Sequence, residues 1–140
     1  MADGPNDLLA AARAVQVHAH APYSGFAVGA AIRAASGRIY VGCNVENASY
    51  PEGICAEAAA IGAMVAAGER EIVEVLTVAD GERLTTCCGG CRQRLREFAG
   101  PDVPVHAAGP QGVRRTFTLG ELLPAAFGAG NLDGRDRQRS

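Results

Sequence analysis

The sequence predicts an α/β fold, a three-layer α-β-α sandwich with a central mixed five-stranded sheet. Three observations carry this. Apolar runs of strand length alternate with stretches of helical periodicity, the pattern of helices packed on a sheet. The first two strand candidates flank the tight turn Ser36-Gly37, so they pair as an antiparallel hairpin and the sheet is mixed rather than purely parallel. With 140 residues the chain has the length of a single domain with one core. It reads as one unit over 1–140, ending in a flexible tail over about 130–140.

From the N-terminus, Leu8 to His20 is Ala-rich with apolar residues at helical spacing and forms the first helix. Pro22-Tyr23-Ser24-Gly25 ends it and turns the chain. Phe26 to Ala34 is the first strand and Arg38 to Cys43 its hairpin partner. Asn44 to Gly53, polar and carrying Pro51, is a loop. Ile54 to Ala67 is the second helix, stopped by Gly68 in a left-handed cap. This helix is apolar almost all round, so at this chain length its outer face is expected in a subunit interface. Ile72 to Ala79 is a β-branched strand. Cys88 to Phe98 is a third helix, amphipathic through Cys91, Leu95 and Phe98. Val103 to Ala107 and Val113 to Phe117 are strands on either side of the turn Gln111-Gly112, and Glu121 to Phe127 closes the chain with a short helical turn.

Composition narrows the class of function. Apolar residues make up 48% and the formal net charge is −2, a balance that belongs to a folded globular protein rather than a disordered or fibrous one. No apolar run is long enough to cross a bilayer, so no membrane partner is expected. Met1 to Ala10 lacks the basic start and long apolar stretch of a secretory signal, which makes a cytoplasmic address the expectation. All 13 basic residues are Arg, and no basic face suited to a phosphate backbone stands out, which argues against nucleic acid as a partner. The tail Arg135-Asp136-Arg137-Gln138-Arg139 is interrupted by an acid and reads as a solvated end.

The five cysteines stand at 43, 55, 87, 88 and 91, an odd count that does not suit a disulfide framework. Cys88-Gly89-Gly90-Cys91 at the start of a helix has two common readings, a zinc half-site or a redox pair. Redox pairs usually follow a first strand, and this one lies late in the chain. Cys55-Ala56-Glu57 supplies what the pair lacks. Residues two apart inside a helix point about 200° from each other, so Cys55 and Glu57 can share a site only beyond the helix N-terminus. The same holds for Cys88 and Cys91, which places one cation between two helix starts. Each start carries about half a positive charge and lowers thiol pKa values. Three protein ligands leave a tetrahedral position open, the mark of a catalytic zinc, and Glu57 is the natural proton carrier beside it.

At this point the chain resembles the cytidine deaminase family, its small homotetrameric branch with three zinc-binding cysteines in particular. The resemblance runs from about Pro22 to Phe127 and rests on four ordered blocks: Pro22 to Ala31, Gly42-Cys43-Asn44-Val45-Glu46-Asn47-Ala48-Ser49-Tyr50, Cys55-Ala56-Glu57, and Cys88-Gly89-Gly90-Cys91-Arg92-Gln93. It implies one Zn2+ per subunit on Cys55, Cys88 and Cys91, with Glu57 shuttling protons as water replaces the amine at C4 of a pyrimidine, a three-Cys chemistry known for zinc deaminases. The activity implied is hydrolytic deamination of cytidine and 2′-deoxycytidine in pyrimidine salvage. The resemblance further assigns Asn44 and Glu46 to the ribose hydroxyls, Phe26 to the base, and Ala56 to the substrate-binding residues. Tyr50 and Phe127 would reach a site formed between subunits of a homotetramer.

Plainer readings stand beside several of these. Phe26 on an apolar strand reads first as core, Phe127 equally as a cover for its own core, and Cys43 as a strand residue facing inward. Two departures from the family pattern stand out. Ala58 follows Glu57 where an Arg that bonds the thiolates is common, which leaves Arg92 as the residue expected to reach the sulfurs. Cys87 stands where Pro commonly precedes the second ligand and is expected to be passive. Two other functions compete: deamination of a cytosine-bearing antibiotic such as blasticidin S, and a non-catalytic zinc-stabilised scaffold. Retention of Glu57 speaks against the scaffold.

Overall fold

The computed structural model describes residues 5–132. From residue 133 onward, the tail expected over 130–140, with its run Arg135 to Arg139, lies outside the described residues. The elements in chain order are helix α1 (Asn6–Gln16), strands β1 (Val28–Ala34) and β2 (Ile39–Cys43), helix α2 (Ala56–Ala66), strand β3 (Ile72–Ala79), helix α3 (Gly89–Phe98), strands β4 (Pro104–Gly109) and β5 (Gly112–Thr118), and the short helix α4 (Leu119–Leu122). The sheet runs β2-β1-β3-β4-β5. Among the described strands only β3 and β4 pair in parallel, and α3 is the crossover that a parallel pair requires. The mixed five-stranded sheet expected from the hairpin and the alternating pattern is present.

Each face of the sheet has its own core. On one side Leu8 and Ala12 of α1 pack on Ala31, Leu76, Val78 and Ala108. On the other, Ala56, Ala60, Ile61 and Met64 of α2 and Cys91 and Leu95 of α3 pack on Ala30, Ile32, Val75 and Val105. These are the three layers. A polar chain stitches α1 to its face: Asp7 pairs with Arg33 at 2.6 Å, Arg33 with Glu74 at 3.2 Å, and Glu74 with His106 at 2.7 Å. His106 completes it against Thr116 at 2.7 Å. The hydrogen bond from Arg33 holds the Asp7 carboxyl below its ordinary value.

Where elements depart from expectation, tertiary contacts decide. The first helix stops at Gln16 because the segment around His20 is drawn off to pair with Val45: His20 N–H donates to Asn44 O at 3.0 Å and Glu46 N–H to His20 O at 2.7 Å. Strand β1 starts at Val28 rather than Phe26 because the Asn44 side chain takes the place of a neighbouring strand. It accepts from Val28 N–H at 2.9 Å and donates to Phe26 O at 2.8 Å. The last helix begins early, at Leu119, where Thr118 and Glu121 form a capping box. It ends before Pro124, which disfavours helix at Leu123, and so leaves Phe127 outside it. Cys43 is half-buried and shares a face with Ile39, which packs on the α1 side; it belongs to neither core cluster. Helix α2 is buried on one side only, since Gly62, Ala63 and Ala66 are exposed.

The placement of α2 depends on Gly42. A Cβ there would lie 2.4 Å from Ala60 N and 2.5 Å from Ala56 O, so the helix backbone rests directly on β2. Because backbone cannot yield as a side chain does, Gly42→Ala should destabilise the fold by about 1–3 kcal/mol. It should also displace the first turn of α2. Thermal denaturation with a parallel zinc determination checks this, and an unchanged melting temperature would contradict it.

Candidate active site

The C-terminal ends of β2 and β3 lie at the same edge of the sheet, because Cys43 and Ala79 pair with adjacent residues at the start of β1, Gly29 and Val28. From there the chain enters α2 through the 44–55 loop and α3 through the 80–88 loop. Each helix opens with a cysteine as N-cap, Cys55 (φ −78, ψ 158) and Cys88 (φ −67, ψ 166), and neither side chain is used to cap its own helix. The thiols are therefore free to face outward from the helix ends. Cys91 is the third residue of α3 and Glu57 the second of α2, so four ionisable groups meet where unpaired N–H groups of two helix starts converge.

The sulfurs of Cys55 and Cys88 are 3.8 Å apart, and all three ligand sulfurs lie within 4.8 Å of one another. A tetrahedral zinc with Zn–S bonds of about 2.3 Å separates its sulfurs by about 3.8 Å. The donor set fits zinc in kind as well, being soft, anionic and one ligand short of a closed shell.

Without a cation this cluster is electrostatically strained. Burial pushes the Glu57 carboxyl, 4% exposed, above its ordinary value. Burial also raises Cys91, followed by the negative charges of Glu57, Cys55 and Cys88, and it raises Cys55. Burial works in the same sense on Cys88, but hydrogen bonds from Cys91 N–H and from the Cys91 and Cys55 thiols bring it below its ordinary value. Cys87 is 2% exposed, its thiol pushed up to about 11 by burial and then by the Glu57 charge, and it stands outside the sulfur cluster.

Beside the cluster opens a cavity of about 210 Å³ lined by Phe26, Val28, Asn44, Ala56, Glu57 and Thr77, among others. Phe26 is 42% exposed and faces this space, so the reading of it as a core residue does not hold. Glu46 lines a separate cavity with Tyr23, Ser24, Asn47 and Tyr50. Its carboxylate accepts from Tyr23 N–H at 3.0 Å, from Ser24 N–H at 3.1 Å and from the Ser24 hydroxyl; the hydroxyl above all holds it below its ordinary value. Asn44 and Glu46, expected to work as one pair, border neighbouring openings, and each is already bonded within the chain. Tyr50 is 76% exposed and meets Tyr23 edge-on at 6.0 Å; Phe127 is 55% exposed, and its carbonyl is tied to α3 by Gln93 at 2.9 Å. Phe127 therefore does not cover its own core.

Arg92 does not reach the sulfurs. Its guanidinium donates to Cys87 O at 2.9 Å, Leu122 O at 2.8 Å and Thr86 Oγ1 at 2.8 Å, bracing the loop that precedes Cys88 against α4. The contact expected of it is made by Arg94, whose Nη1 donates to Cys91 Sγ at 3.5 Å. Helix geometry explains the correction: a residue one position past Cys91 points about 100° away, whereas one three positions past shares its face. That spacing was legible in the sequence. Thr77 and Thr86, which also border the cavity, announced themselves only as polar residues next to apolar runs.

Residues 5–107 match the profile of the cytidine and deoxycytidylate deaminase zinc-binding region. The chain belongs to that deaminase family. It is 39% identical over 125 residues to the cytidine deaminase of Sporosarcina psychrophila, covering 89% of this chain and 92% of that one. It is 40% identical over 122 residues to the cytidine deaminase of Mycobacterium tuberculosis, covering 86% and 85%. Among solved structures, the cytidine deaminase of Burkholderia pseudomallei superposes with a TM-score of 0.83 at 39% identity, covering 91% of this chain and 100% of that one. A zinc-binding family and a three-thiolate cluster of matching dimensions agree on the metal.

The burial of Glu57 carries a measurable cost. An acid whose folded pKa is raised favours folding only in its protonated form, a benefit lost as pH rises through the folded pKa. At neutral pH the carboxylate therefore opposes folding of the zinc-free deaminase. Glu57→Gln keeps the shape and removes the charge, so it should stabilise the zinc-free protein at pH 7 and raise its melting temperature. The gain should vanish in acid below the ordinary carboxylate range. Melting curves at both pH values check it, and equal stability of the two proteins at pH 7 would contradict it.

Proposed function

We propose that this chain catalyses hydrolytic deamination of cytidine and 2′-deoxycytidine to uridine and 2′-deoxyuridine with release of ammonia, a step of pyrimidine salvage. The observation that carries this reading is Glu57, a buried carboxyl held beside three convergent thiols at the wall of a nucleobase-sized cavity. Relatives named as cytidine deaminases that align over most of their length support it. Zinc held by Cys55, Cys88 and Cys91 would supply Lewis acidity to the site.

The chain's own residues do the rest. A carboxyl raised by burial takes up a proton more readily than an ordinary one and can pass it on, and Glu57 would deliver protons to the ring N3 and to the departing amine. Ala56 opens α2, so its N–H lacks a helical acceptor and can donate to the base carbonyl. Phe26 offers its exposed ring face to the base. Asn44 is fixed by Val28 N–H and Phe26 O, which leaves one amide hydrogen and one lone pair for a ribose hydroxyl. Glu46 binds the other hydroxyl by exchanging its bond to Ser24 for one to the sugar.

The deaminase works as a homotetramer in this reading. The large exposed aromatics Tyr50 and Phe127 and the small-residue outer face of α2 support it, since such surface is normally covered. No described helix is long and apolar enough to cross a membrane, and the substrate is a small nucleoside. Sedimentation should give the mass of four chains, and Phe127→Ala should lower activity at least tenfold while leaving zinc content intact. A fully active monomer would contradict this.

Cytidine loss, followed with wild type and Glu57→Gln and with zinc measured in both, tests the reaction. The variant should keep its zinc and lose activity by about 10²–10⁴-fold. A panel of cytidine, 2′-deoxycytidine, cytidine 5′-phosphate and blasticidin S should show the two nucleosides as the good substrates. Zinc-loaded wild type inert on both nucleosides would sink the reading: turnover of blasticidin S alone would mark the antibiotic deaminase, and no turnover at all the scaffold.

A further inference from the structure

Three thiolates and the Glu57 carboxylate face a single dication, leaving the site with a formal charge of about −2 before any substrate arrives. The first turn of α2 carries no cation, because Ala58 and Ala59 follow Glu57. Arg92, next in sequence to Cys91, is held by two carbonyls and a hydroxyl. Among the described residues, Arg94 is the only cation bonded to one of the three sulfurs, at 3.5 Å from Cys91 Sγ.

We propose that Arg94 is the positioning residue of the metal site: its guanidinium donates to the Cys91 thiolate, offsets the excess negative charge, and raises the affinity of the thiolate set for zinc. Two features show that this contact is chosen rather than incidental. Glu97 stands three residues further along the same helix, well placed for an ion pair, yet among the described residues Arg94 forms none with it. Gly90, four residues earlier, leaves room for the guanidinium to fold back toward the helix start, since a Cβ there would sit 3.3 Å from Arg94 Nη1. A hydrogen bond to a ligating sulfur also draws electron density from it and fixes its orientation, the usual work of groups just behind a metal's ligands. Arg94 is itself exposed, so its removal should leave the fold unharmed and report on the metal alone.

The proposal rests on the reading that Cys55, Cys88 and Cys91 hold the zinc, and the test separates the two. Zinc affinity is measured on the full-length protein by competition with a chelator, for wild type, Arg94→Met, Arg94→Lys, Arg96→Met and Cys91→Ser. Arg96→Met removes the same charge from the same helix, from a side chain that contacts Ala99 O instead of sulfur. Arg94→Met should weaken zinc about 10–100-fold, Arg94→Lys by less, and Arg96→Met within about twofold, with melting temperatures of the zinc-free proteins unchanged. In the cobalt-substituted proteins, Arg94→Met should move the thiolate-to-metal charge-transfer band to longer wavelength. Affinity and band equal to wild type in Arg94→Met, or an equal loss in Arg96→Met, would overturn the proposal while leaving the metal site standing. Zinc held as tightly by Cys91→Ser as by wild type would overturn the ligand assignment itself.

Discussion

Two helix starts pointing at one spot are the constraint on which the rest of this molecule depends. An isolated helix N-terminus offers unpaired N–H groups and a partial positive charge; two of them facing each other repel unless something anionic lies between. Cys55 and Cys88, as N-caps, put sulfur there. Much of the fold serves to hold that arrangement. Pairing of Cys43 and Ala79 beside the start of β1 brings the two approaches to one sheet edge, where α/β folds commonly bind ligands. Gly42 lets α2 rest on the backbone of β2, and Leu95 and Cys91 seat α3 in the same core.

The converged site is then a poor one for protons and a good one for a dication. Burial raises Glu57, Cys55 and Cys91 together, and each negative charge makes the next harder to form. A metal reverses that logic, because it stabilises every anion around it. In the proposed reaction, the same burial that disfavours a charged Glu57 suits it to exchange protons beside a bound cation. Strain in the metal-free fold and competence in the loaded one thus have a single source, as is common where function sets the local structure.

Much of this was legible in the sequence, and the exceptions have physical reasons. Strand Ile72–Ala79 is as its β-branched run predicts, and the spacing of Cys55, Glu57, Cys88 and Cys91 already required a site beyond helix ends. What the one-dimensional pattern concealed were contacts between segments far apart in the chain. Asn44 substitutes for a strand neighbour and so frees Phe26 to face the cavity. His20 leaves its helix to pair with Val45. Arg92, the nearest cation in sequence, is drawn to carbonyls of the adjoining loop and of α4, while Arg94 turns to the sulfur. Proximity along a chain misleads on a helix, where the third residue and not the first is the neighbour.

Anomalous diffraction at the zinc edge from crystals of the full chain tests the convergence of the two helix starts most directly. One peak per chain is predicted, bonded at about 2.3 Å to the sulfurs of Cys55, Cys88 and Cys91, with the Glu57 carboxylate beside the fourth position and not bound to the metal. A peak that enlists Cys87 or Glu57 as a ligand in place of one of those sulfurs, or that lies away from the helix starts, would contradict it.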